Sequence, residues 1–64
     1  MTGRVKRIVQ DKGFGFILAE DRTEYFFHRS DANGKFDRLH EGDNVEFDIA
    51  ESNKGPRASD VRLI

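Results

Sequence analysis

Turn-forming residues recur along this 64-residue chain at intervals too short for helices of ordinary length. They stand at Asp11-Lys12-Gly13, Glu20-Asp21-Arg22, Asn33-Gly34, Glu41-Gly42-Asp43 and Asn53-Lys54-Gly55-Pro56. The segments between them are rich in Val, Ile and Phe and predict strands near 3–10, 14–19, 24–29, 43–50 and 56–63. In the fourth, Val45, Phe47 and Ile49 alternate with polar neighbours; in the fifth, Val61 and Leu63 alternate with Asp60 and Arg62. Five short strands without a helix must bury one face and protect their edges. Closure, or near closure, into a small β-barrel does both. Val5, Ile8, Val9, Ile17, Leu18, Tyr25, Phe27, Leu39, Val45, Phe47, Ile49, Val61 and Leu63 are the expected core, with Leu39 plugging one barrel end.

A chain this short is expected to be one domain, residues 1–64, with a small core. The absence of cysteine excludes disulfides, thiolate zinc sites and a cysteine nucleophile, and fits a reducing, cytoplasmic setting. No apolar run approaches the length of a membrane span, and Met1-Thr2-Gly3-Arg4 lacks the apolar core of a secretory signal. Net charge is -1, which argues against a polybasic binder. The charges are nevertheless uneven. Residues 1–19 carry four cations against Asp11, residues 20–48 four against nine carboxylates, and residues 49–64 three against two. A fold joining the two ends presents a basic face on a nearly neutral protein, although on charge alone an ordinary mixed surface is the favoured reading.

The segment richest in chemistry is Lys12-Gly13-Phe14-Gly15-Phe16-Ile17. In a strand, Phe14 and Phe16 share a face at roughly 6.7 Å, a spacing comparable to successive bases of an extended single strand. Each base stacked on such a ring is worth roughly 1–3 kcal/mol, whatever its identity. Gly13 and Gly15 keep bulk away from the rings and let the strand bend. In Tyr25-Phe26-Phe27-His28-Arg29-Ser30, an inward Phe27 turns Phe26 and His28 outward, beside Phe14 and Phe16. Lys6, Arg7, Lys12, Arg29 and Lys54 can border that patch with cations. The competing reading places these rings in the core, the commoner fate of phenylalanine. The apolar residues already assigned inward would leave three more rings without room, which favours a surface platform.

These residues resemble the bacterial cold-shock proteins. Lys12-Gly13-Phe14-Gly15-Phe16-Ile17 matches the family's first RNA-binding motif, and Phe26-Phe27-His28 resembles its second. Gly3-Arg4-Val5-Lys6 is similar to the family's opening strand, Leu39 to Phe47 to its Leu-x-Glu-Gly-x-x-Val-x-Phe segment, and Lys54-Gly55-Pro56-Arg57-Ala58 to its closing turn. The resemblance covers nearly the whole chain. It implies an all-β, five-stranded antiparallel barrel of the OB-fold type that binds single-stranded RNA and DNA, with no cofactor, no metal and no membrane partner, as a monomer. The family's stacking positions fall on Phe14, Phe16, Phe26, His28 and Phe36; its polar and cationic contacts fall on Lys6, Lys12, Lys54 and Arg57.

Three departures stand out. Arg7-Ile8-Val9 replaces the usual Trp-Phe-Asn, Arg29 stands where the second motif ends in Phe, and the loop Asp31 to Lys35 is about one residue short. Two aromatic stacking positions have thus become arginines, whose planes stack on bases and add charge. An RRM shares the first motif but needs two helices. A small protein-binding barrel using the same patch is the remaining alternative. An enzyme is not expected: His28, Ser30 and Asp31 adjoin in sequence, but adjacency along a strand does not make a catalytic triad.

Overall fold

A computed structural model describes every residue except Lys54. Strands β1 (Thr2–Val9), β2 (Phe14–Ala19) and β3 (Glu24–His28) form an antiparallel meander. Two 3-10 turns follow, Arg29–Ala32 and Phe36–Arg38, and then the hairpin of β4 (Asn44–Ser52) and β5 (Gly55–Leu63). The strands close into a ring in the order β1-β2-β3-β5-β4, with β4 returning to β1. The all-β barrel expectation holds with one amendment. The β3–β5 joint is parallel and consists of the single pair Phe26 and Arg57.

A bulge in β1 decides which residues face the interior. Val5 pairs with Ile17, and Arg7 with Phe16, so Lys6 is the extra residue. Val5 and Ile8 therefore both point inward, while Val9 lies opposite Phe14 on the outer side. The expected core needs four corrections. Val9 is half-buried beside the surface rings. Leu18 is 43% exposed because it follows the inward Ile17, and strand parity turns it out. Ile49 is 44% exposed because β1 covers β4 only from Asn44 to Glu46, leaving the far end of the β4–β5 hairpin outside the ring. Leu63 is the last residue of β5 and is also exposed. Their places are taken by Phe36 and the small residues Ala19, Ala32 and Ala58. Tyr25 packs against Phe47 at 5.5 Å between ring centroids, and Phe27 against Phe36 at 6.0 Å. Leu39 is buried with them.

Gly15 is a packing requirement as much as a bend. It lies directly opposite Phe27, and a Cβ there would sit 2.6 Å from the Arg7 carbonyl oxygen and 2.9 Å from the Phe27 ring. Neither backbone nor buried ring can yield cheaply. Gly15→Ala is expected to destabilise the fold by about 1–3 kcal/mol, read as a lower urea midpoint at unchanged m-value.

Candidate nucleic-acid interface

The outer faces of β2 and β3 carry the aromatic patch. Alternation in β3 buries Tyr25 and Phe27 and turns Phe26 and His28 out, with Phe26 37% exposed. Antiparallel pairing sets Phe16 opposite Phe26 and Phe14 opposite His28. The three phenyl rings form a triangle, with centroid separations of 6.0 Å (Phe14 to Phe16), 5.7 Å (Phe14 to Phe26) and 6.0 Å (Phe16 to Phe26). They are not parallel plates. Phe14 and Phe26 are tilted by 34°, whereas Phe16 stands nearly edge-on to Phe14 at 86°. Gly13 closes the turn before β2 with φ +73°, a left-handed conformation that suits glycine.

The expected cations occupy different settings. Lys6, freed by the bulge, forms an exposed ion pair with Glu24 at 2.9 Å. Arg7 is exposed directly opposite Phe16. Lys12 is exposed in the turn between β1 and β2. Arg29 lays its guanidinium 5.6 Å from the centre of the Phe36 ring and donates a hydrogen bond to the Gln10 carbonyl at 3.3 Å. Arg57 lies beside Phe26 and is ion-paired with Asp31. The Lys54 position lies outside the described residues.

Phe36, expected among the stacking residues, is a core residue. It is 2% exposed, packed on Phe27 and roofed by Arg29. The guanidinium, rather than the ring beneath it, is the plane presented at that edge. Two features went unread in the sequence. Asp31 accepts hydrogen bonds from the His28 amide and from Arg57, tying the end of β3 to β5. A cleft lined by Phe26, Ser52, Asn53, Pro56 and Arg57 extends the patch onto the β4–β5 turn. The Gly55-Pro56 turn marks that segment in the sequence, but only the β3–β5 joint brings it beside Phe26. Among the described residues no group of three His, Cys, Asp or Glu side chains could hold a metal ion.

A closed five-stranded barrel of the OB type with an aromatic outer face is an architecture built around a surface rather than a pocket. The chain matches the 'Cold-shock' DNA-binding domain family over residues 1–64, and it belongs to that nucleic-acid-binding family. It is 45% identical over 64 residues to a cold shock-like protein of Aquifex aeolicus, covering 97% of this chain and 91% of that one. It is 46% identical over 61 residues to the cold shock-like protein CspLB of Listeria monocytogenes, covering 94% and 92%. It is 42% identical over 62 residues to the cold shock-like protein CspE of Bacillus anthracis, covering 95% and 92%. No helix among the described residues is long and apolar enough to cross a membrane.

Proposed function

We propose that this protein binds single-stranded RNA and DNA on the Phe14, Phe16 and Phe26 face and thereby destabilises their secondary structure. It acts as a cytoplasmic monomer without a cofactor. The observation that carries this reading is the triangle of rings on the outer face of adjacent strands, Phe26 exposed and Phe14 and Phe16 half-buried against it, since phenyl groups in mutual contact outside the core are a surface on which flat partners can stack. Lys6, Arg7, Lys12 and Arg29 are the cations that follow the backbone, together with Lys54. His28 borders the stack beside Phe14, and Arg57 holds the neighbouring strand in place. By occupying the open strand, the protein shifts a hairpin equilibrium by RT ln(1 + [L]/Kd), about 2.7 kcal/mol at a hundredfold excess over Kd. That suffices to melt marginal hairpins without ATP.

The test is fluorescence anisotropy of labelled oligo-dT and oligo-U heptamers beside a duplex of equal length. A label is needed because the chain has no tryptophan and its one tyrosine is buried. The expected result is binding to the single strands alone, weakening with salt at a slope of about -0.7 per phosphate neutralised. No binding to any oligonucleotide at low salt would point instead to a protein-interaction module using the same patch.

A further inference from the structure

His28 ends β3 and caps the first 3-10 turn. Its Nδ1 lies 3.2 Å from the backbone nitrogen of Ser30, and the Ser30 hydroxyl oxygen lies 3.2 Å from the same atom. A backbone N–H can only donate, so Nδ1 is the acceptor. A neutral imidazole has one donor nitrogen and one acceptor nitrogen, which places the proton on Nε2. The main chain beneath the ring is held as well. The His28 amide donates to Asp31 Oδ2 at 2.9 Å, and Arg57 is ion-paired to that oxygen. His28 is exposed, directly opposite Phe14, and Nε2 has no hydrogen-bond partner among the described residues.

Building on the single-strand reading, we propose that the Ser30 amide is a positioning group that fixes His28 as an Nε2–H donor. The base stacked beside Phe14 is then read through a carbonyl acceptor on its edge. In this role His28 differs from the phenylalanines around it. The rings accept any base face, whereas a fixed N–H distinguishes an edge bearing an acceptor from one that lacks it. Asp31 and Arg57 act through His28, holding the backbone that carries the ring.

Long-range proton–nitrogen NMR on the free, 15N-labelled protein, at a pH where the imidazoles are neutral, reads the tautomer directly. His28 is expected to carry its proton on Nε2 alone, also in Ser30→Ala, because the amide is retained. His40, whose Nδ1 lies 3.8 Å from the Asp43 carboxylate, is the internal contrast. A proton on Nδ1 of His28 would overturn the proposal. The second arm is a binding cycle. Each position of a thymidine heptamer is replaced in turn by 5-methylpyrimidin-2-one, which lacks O4, or by 2-thiothymine, which weakens the acceptor at O2. At one position the parent protein is expected to lose about three- to tenfold in affinity, the range of a single hydrogen bond, while His28→Phe loses nothing there. Equal losses in the two proteins, or none anywhere in the parent, would sink the donor role of His28 and leave single-strand binding standing. Failure of the unmodified heptamer to bind would remove the single-strand reading and the base-reading role together.

Discussion

Replacing Phe36 by alanine is expected to cost about 3–5 kcal/mol of folding stability, the range for deleting a buried phenyl ring. A domain of this size is stabilised by only a few kcal/mol, so the variant should be largely unfolded at 25 °C. The ring is almost wholly enclosed, with Phe27 at 6.0 Å and the Arg29 guanidinium at 5.6 Å. Loss of the ring leaves a void that neither neighbour can fill without moving the end of β3 or the turn that follows it. Phe36→Leu keeps most of the volume and should cost less than about 1.5 kcal/mol. Urea unfolding followed by circular dichroism ranks the three proteins. A Phe36→Ala variant that stayed as stable as the parent while losing affinity for a single strand would return Phe36 to the binding surface.

Converting Phe14, Phe16 and Phe26 together to leucine should lower affinity for a thymidine heptamer at least a hundredfold. Each base–ring stack is worth roughly 1–3 kcal/mol, and every 1.4 kcal/mol is about tenfold in Kd. The three rings touch one another, so the single replacements will not add to the triple effect. Leucine is chosen over alanine because it keeps the patch apolar while removing the flat faces. The triple variant should still melt as one cooperative unit, because the rings lie on the outer face of the barrel and none belongs to the buried core. Anisotropy and thermal melting, run together, check both halves. Undiminished binding by the leucine variant would mean that stacking is not the source of affinity and that any apolar partner is accepted.

The sequence disclosed strand order and family more readily than it disclosed which residues face inward. Period-two alternation placed Val45 and Phe47 correctly because β4 is covered there, Val45 pairing with both β1 and β5 and the Phe47 amide donating to the Met1 carbonyl just before β1. It misplaced Ile49 because alternation reports a side of the sheet and does not report where the covering strand stops. The bulge at Lys6 shifts the parity of β1 by one residue, so of the two neighbours expected inside, Val9 turns out and Ile8 alone packs against the core. No residue type announces that bulge. These errors had a combined consequence for the candidate site. Counting Val9, Leu18, Ile49 and Leu63 as core left no room for further rings. With all four outside, the barrel has space for Phe36, which the family resemblance had put on the surface. The patch of Phe14, Phe16 and Phe26 was legible because it rests on local parity within two short strands. The Asp31–Arg57 pair was not, because its partners are 26 residues apart and meet only through ring closure.

That closure is also the thinnest joint of the barrel. β1 and β4 share three paired positions and β2 and β3 share five, whereas β3 and β5 share one, Phe26 with Arg57. The residue at the thinnest joint is also the most exposed ring of the patch. A single strand resting on Phe26 and following the cleft past Arg57 would span the gap like a strap across a clasp. On the proposed binding mode the bound polymer would complete the architecture it rests on, and occupancy would brace the joint that has the fewest paired positions.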